Sequence, residues 1–409
     1  MLAMTATRRR MASSIRYSIT PPGWSGRSTM ASVSPVDSPQ LLQKIALCCI
    51  PRSGHHRIVV LRCESSYGPA TRKQMPAAPV TALLMHPVVK EELLRDDHMR
   101  RLDRCCELVS TTPFRSFEEL ADHLPYLQVL ISSWGCPRIE LEAAKAMPRL
   151  KLVAHLAGSV KGFIDDAVWR RGVYVSNAVS ANAVPVAEYV LAAILFTNKH
   201  VLDLAAFYRL HHENRAPWTK EAPNVGNYRK VIGIIGASHV GRKLIELLGH
   251  FDFRVLLYDP YITALEGREL GAQKVSLAEL LSHSDVVSLH APLLPDTRDM
   301  LGAREFALMK DGATFINTAR GAIVDQEALI AELESGRLHA VLDTTEPEVL
   351  PADSPLYQLS NVLLTPHIAG SLGTETQRLA DCLVEEIERF AQGHALKNRV
   401  RYEELTRLA

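Results

Sequence analysis

From Ala78 onward, short apolar runs alternate with polar stretches of helix length. "VTALLM", "LQVLISS" and "LKLVAHLA" are separated by segments such as "FEELADHL" and "PRIELEAAKAM". That alternation predicts parallel strands joined by crossover helices, a sheet covered on both faces. After a loop rich in Pro and Asn, "ENRAPWTKEAPNVGNYRK", a second alternation begins. Its candidate strands are "KVIGIIG", "RVLLYD", "DVVSLHA", "ATFINTA", "HAVLDTT" and "NVLLTP". Between the two blocks, Asn182 to Tyr208 is apolar all round and free of glycine, which predicts long, buried helical structure able to join two lobes. The tail "GTETQRLADCLVEEIERFAQG" has apolar positions at helical spacing and is expected to pack back onto the first lobe. The pattern therefore predicts an α/β protein with two doubly wound parallel-sheet lobes.

Composition narrows what such a protein binds. A chain of 409 residues can bury two cores of ordinary size. Lys and Arg number 46 against 45 Asp and Glu, so no global charge favours nucleic acid or an anionic membrane, and a small-molecule ligand fits better. "VPVAEYVLAAILF" is interrupted by Pro185 and Glu188, so no membrane span is expected. The seven cysteines form no C-x-x-C pair or spaced metal quartet and read as free thiols in a reducing compartment, which points to the cytoplasm. Adjacent histidines in "HHENR" lack matching carboxylate spacing, and no metal is assigned. The first 74 residues differ from the rest: eleven Lys or Arg stand against only Asp37 and Glu64, with no persistent period. Residues 1–75 are expected to be a disordered extension. It is either a transit segment or an over-called start ahead of Met75, and the second is preferred because the stretch lacks an amphipathic stripe.

"VIGIIGASHVGRKLIELL" is a strand, a glycine turn and an amphipathic helix. In a dinucleotide site the first glycine permits the turn, the second admits the pyrophosphate and the third packs the helix, whose N-terminus favours negative charge. Gly236 and Gly241 fill the first and third places, while Ser238 replaces the second and offers a hydroxyl to a phosphate oxygen. Asp259 ends the next strand, 23 residues beyond Gly236, near the interval at which a carboxylate takes the ribose hydroxyls. Its charge would repel a 2′-phosphate, so NAD is expected rather than NADP. Taken alone, Asp259 also fits a turn residue before Pro260.

The chain from about Thr81 to Phe390 resembles the D-isomer-specific 2-hydroxyacid dehydrogenases. The resemblance is carried by "HLAGSVKGFID", "NAVSANAVPVAEY", "GIIGASHVG", "SLHAPLLPDTR", "MKDGATFINTARGAIVDQEAL" and "LDTTEPEVLPADSPLYQLSNVLLTPHIAG". It implies a Rossmann NAD-binding domain over residues 182–367 and a flavodoxin-like substrate domain from residues 76–181 and 368–409. It also implies NAD(H)-dependent reduction of a small 2-oxo acid to a D-2-hydroxy acid, or the reverse. Arg320 maps onto the substrate-binding Arg, whose guanidinium fork matches a carboxylate. His367 maps onto the acid/base His, and Glu348 onto its carboxylate partner. Glu346 is the runner-up for that partner, because Val349 stands where Pro is usual and "GRLHAVLD" is one residue short.

By the same resemblance Gly158 and Ser159 form a backbone cradle for the substrate carboxylate. Asp343 and the backbone of Thr318 to Arg320 meet the nicotinamide carboxamide, and His290 to Pro292 line the adenosine side. Gly236, Ser238, His239, Val240 and Gly241 form the phosphate turn. Trp134 is a candidate pocket wall, with a core position as the blander alternative. A homodimer through the cofactor lobe is expected. Two other readings stay open: an NAD-sensing, co-repressor-like binding protein of the same fold, and a formate dehydrogenase, in which Gln stands at the Glu348 position.

Overall fold

The computed structural model describes residues 78–212 and 225–405. The expectation for residues 1–75 lies outside them, as do the His211 side chain and residues 213–215 of the "HHENR" stretch. The first sheet contains β1 (Val80–Leu84), β2 (Glu107–Leu108), β3 (Val129–Ser132), β4 (Leu152–His155) and β5 (Tyr174–Asn177). The second contains β6 (Val231–Ile235), β7 (Arg254–Tyr258), β8 (Gln273–Lys274), β9 (Val286–Leu289), β10 (Thr314–Asn317), β11 (His339–Leu342) and β12 (Val362–Leu364). A last strand, β13 (Arg399–Val400), returns to the first sheet. The strand orders are β13-β5-β4-β3-β1-β2 and β12-β11-β10-β9-β6-β7-β8. All pairs are parallel except β13 with β5, where Val400 faces Val175.

Each sheet is buried on both faces, which is why its strands read as unbroken apolar runs. In the first sheet Leu83, Ile131 and Ala154 point to one side, and Ala82, Leu130 and Val153 to the other. The first side is covered by the helix Thr376–Ala391 through Leu379, Leu383 and Ile387, all fully buried. Each such Leu or Ile is worth about 1.5–3 kcal/mol on burial, enough to fasten the chain's end to a sheet formed nearly 200 residues earlier. The same helix buries Glu386 completely. Its carboxylate accepts from Ser176 Oγ at 3.2 Å and from the backbone N–H groups of Lys397 and Asn398 at 2.9 Å, which positions β13 beside β5.

The apolar connector departs from expectation in two ways. It is two helices, Val179–Thr197 and Val201–His211, broken where His200 takes φ +47°. Asn198 holds the break: its carbonyl accepts from Gly226 N at 2.8 Å and its side chain donates to Asn227 Oδ1 at 3.1 Å. The connector is also not buried all round, since Leu202, Tyr208 and Leu210 are exposed. Pro185 and Glu188 do not end the first helix, which by length and hydropathy alone could cross a membrane. Instead its apolar side packs with the helix His239–Leu248 in the second lobe's core, through Val186, Val190 and Ile194.

Candidate active site

In open parallel sheets ligands bind beyond the carboxyl ends of the strands. The loops leaving β4, β6, β7, β9, β10, β11 and β12 carry the candidate site residues. After β6, Gly236 turns the chain at φ +97°. A β-carbon on Gly241 would lie 2.1 Å from the Gly236 carbonyl oxygen, so the helix His239–Leu248 starts hard against the turn only because Gly241 has none. Ser238 is that helix's N-cap, its Oγ accepting from Gly241 N at 3.3 Å. This leaves its own O–H proton to donate outward. Arg242 Nε donates to Ala237 O at 2.8 Å and braces the turn from behind.

The turn opens on a cleft of about 780 Å³. Gly236, Ser238, His239, Val240, Asp259 and Pro292 line it, whereas Gly241, Thr318 and Asp343 do not. Burial, then the charge of Arg242, lowers the His239 pKa, so its imidazole is biased toward the neutral form. Asp259 accepts from Ala237 N at 2.7 Å through one oxygen and from Tyr261 N at 2.8 Å through the other. Asp259 is therefore a turn residue and a cleft residue at once, with lone pairs on both oxygens still available. A dinucleotide fits this donor set. The first-turn N–H groups of a helix have no intrahelical partner, and His239 and Val240, the first two residues of this helix, line the cleft.

One assignment needs correction. His290 does not line the cleft with Ala291 and Pro292: its ring is buried and its Nε2 lies 2.8 Å from Ser288 Oγ. Burial pushes its pKa down to about 3, so it is a neutral core histidine. Asp343 is 2 % exposed and takes three donors from the chain after β12: Thr365 Oγ1 at 2.6 Å, Ile368 N at 2.8 Å and Ala369 N at 2.9 Å. It holds the turn that carries His367.

Beyond β10, buried Asn317 brackets the Arg320 turn, accepting from Ala319 N at 2.9 Å and donating to Arg320 O at 3.1 Å. The Arg320 side chain is exposed, and one guanidinium N–H donates to Ala319 O at 2.6 Å. Gly321 then packs on the loop after β11: a β-carbon there would lie 2.1 Å from the Thr345 carbonyl carbon. Thr345 Oγ1 lies 2.9 Å from Pro347 O and 3.2 Å from Glu348 O, so the Arg320 turn and the Glu348 loop form one packed unit.

From that loop Glu348 Oε1 hydrogen-bonds His367 Nδ1, with both side chains about half exposed. Glu346 makes no such contact; its backbone N–H donates to Gln326 Oε1 at 3.1 Å. His367 itself sits at φ +57°, a left-handed conformation costing a non-glycine residue on the order of 1–3 kcal/mol and found where surrounding structure enforces it.

The first-lobe candidates are arranged more loosely. After β4, Gly158 has open space where a side chain would be, and Ser159 Oγ accepts from Lys161 N at 3.2 Å. Lys161 Nζ reaches the second lobe, donating to Leu293 O at 3.0 Å. Trp134 is 48 % exposed on the loop after β3, which excludes a core role. At the end of β4, His155 Nδ1 lies 2.9 Å from Ser132 Oγ, and burial lowers its pKa to about 4. The sequence pattern did not point to Asn177, Lys397 and Arg399, which line the cleft from the first lobe. The basic run "LKNRVR" was the available signal, but its position follows from the buried Glu386.

Two α/β lobes, a glycine turn at a helix N-terminus and an imidazole–carboxylate pair beyond neighbouring strands define a two-lobed dinucleotide-binding protein. Residues 191–369 match the model of the D-isomer specific 2-hydroxyacid dehydrogenase NAD-binding domain, and the chain belongs to that family. It is 33 % identical over 270 residues to a glyoxylate reductase of Aeropyrum pernix, covering 65 % of this chain and 81 % of that protein. It is 29 % identical over 320 residues to a D-3-phosphoglycerate dehydrogenase of Methanocaldococcus jannaschii, covering 77 % of this chain and 59 % of that one. The chain thus spans less than two thirds of the length of that relative. Among solved structures, the apo D-mandelate dehydrogenase of Rhodotorula graminis superposes with a TM-score of 0.65 at 26 % identity, over 79 % of this chain and 97 % of that one. The family and the two-lobed fold are as the motifs implied.

Proposed function

We propose that this chain reduces a small 2-oxo acid to a D-2-hydroxy acid, or catalyses the reverse. The observation that carries the reading is the pairing of His367 Nδ1 with Glu348 beyond the carboxyl ends of β12 and β11 in the dinucleotide-binding lobe. The pairing leaves Nε2 as the atom free to exchange a proton with substrate. Bound NADH supplies the hydride that reduces the carbonyl carbon. Arg320 binds the substrate carboxylate and carbonyl oxygen through its planar fork, and the N–H groups of Gly158 and Ser159 receive the other side of the carboxylate. His367 protonates the carbonyl oxygen, and Glu348 fixes its tautomer through Nδ1. Closure of the lobes, residues 76–181 with 368–409 against 182–367, excludes water from the reacting atoms.

The cofactor preference proposed is NAD over NADP, because the Asp259 carboxylate lines the cleft and its charge would repel a 2′-phosphate. A Glu at position 348 disfavours formate as substrate. The test is a panel of glyoxylate, hydroxypyruvate, pyruvate and phenylpyruvate with NADH and with NADPH, followed by nicotinamide absorbance. Turnover of at least one acid, faster with NADH, is expected. No turnover of any acid alongside tight NADH binding would instead favour the cofactor-sensing reading.

We also propose a cytoplasmic homodimer joined through the cofactor lobe. Phe196, Leu202, Tyr208 and Leu210 leave apolar side chains exposed along the two connector helices, a surface a second copy could cover. Light scattering should return twice the chain mass, and Leu202→Glu with Leu210→Glu should halve it. A monomer in the unmodified protein would contradict this.

A further inference from the structure

The turn bearing His367 is anchored from beneath, by a chain of hydrogen bonds that ends on the helix joining the lobes. His367 N donates to Thr365 O at 3.0 Å, and Asp343 receives Ile368 N and Ala369 N just beyond. Thr365 Oγ1 lies 2.6 Å from Asp343 Oδ1 and 2.8 Å from the Tyr189 hydroxyl. A carboxylate only accepts, so the single Thr365 proton goes to Asp343 and the Thr365 oxygen accepts from Tyr189. The chain therefore has one direction, Tyr189 to Thr365 to Asp343, and each bond polarises the next. Burial pushes the Tyr189 pKa up, which keeps its hydroxyl a donor at neutral pH. Tyr189 sits within the helix Val179–Thr197, whose neighbours Val190 and Ile194 are locked in the second core. His367, in contrast, is half exposed and has a strained backbone, so its place depends on what holds the turn.

We propose that Tyr189, acting through Thr365 and Asp343, is a positioning residue for His367. The helix joining the lobes thereby sets where the imidazole stands against Glu348. This rests on the acid/base reading of His367, and a displacement of the order of an ångström at such a group costs up to roughly 100-fold in rate.

The test compares Thr365→Val, Thr365→Ser, Tyr189→Phe and the double variant Tyr189→Phe/Thr365→Val, with His367→Asn measured alongside. Thr365→Val should lower kcat on the order of 10- to 100-fold, with the oxo-acid KM and the NADH Kd near wild type. Thr365→Ser should restore most of the turnover. Tyr189→Phe should act in the same direction, and the double variant should be no worse than Thr365→Val, because both act through one chain. Wild-type kcat in Thr365→Val and Tyr189→Phe, losses that multiply, or a Thr365→Ser as slow as Thr365→Val would each overturn the proposal. Should Thr365→Val not fold, Tyr189→Phe decides by the same kcat-against-KM split. If His367→Asn keeps wild-type turnover, the acid/base reading fails and takes this inference with it. If His367→Asn is slow while the chain variants are not, only this inference fails.

Discussion

His367→Asn should lower kcat for oxo-acid reduction by roughly 10²- to 10⁴-fold, the contribution typical of a positioned general acid, while NADH affinity stays near wild type. Asn keeps a polar side chain of similar reach but cannot carry the proton that His367 exchanges at Nε2. The cleft that would hold the dinucleotide is lined by Gly236, Ser238 and Asp259 and does not include His367, which is why cofactor affinity should be spared. Steady-state kinetics and a fluorescence titration with NADH check both halves. Equal loss of turnover and of NADH affinity would mean that His367 shapes the cofactor site instead.

Arg320→Ala should lower kcat/KM by roughly 10²- to 10⁴-fold, corresponding to two charge-assisted hydrogen bonds of about 1.5–3 kcal/mol each. The loss should fall on KM as well as kcat, because the guanidinium holds the carboxylate in the bound state and the carbonyl oxygen as its charge grows. Arg320→Lys should not restore it, since an ammonium is a point charge and cannot present the planar fork. The turn itself should survive either change: Asn317 brackets it through backbone groups, and Gly321 is what packs against Thr345. An Arg320→Lys variant with near wild-type kcat/KM would show that charge alone suffices.

Much of this site was legible because it lies where local pattern and local chemistry coincide. The apolar runs that became β6, β7, β9, β10, β11 and β12 are continuous and bounded by turn residues, so their ends, and the loops beyond, could be placed from the sequence. Glu348 could be preferred over Glu346 by counting from Asp343, and the structure pairs Glu348 with His367. What was hidden depends on distant contacts. β8 and β13 are two residues long and exist only through their partners. The break at His200 has no glycine or proline to announce it and is held by Asn198 with Gly226 and Asn227. Glu386 reads as one more charge on an amphipathic helix, yet it is fully buried and places the basic tail at the cleft. His290 carried an expected cofactor-side position by resemblance, whereas burial turns it into the core, and the hold of Asp343 on the His367 turn depends on contacts across more than 20 residues. Ser238 stands out in the sequence as a missing glycine, and it is also the helix cap.

Where the hydride goes, and what configuration results, tests the assigned chemistry most directly. The oxo-acid panel run with NADH deuterated at the transferable position should yield a 2-hydroxy acid carrying deuterium at C2, and chiral chromatography should find the D isomer. An L product, or no deuterium in the product of any acid, would contradict the roles of Arg320, Glu348 and His367 in carbonyl reduction.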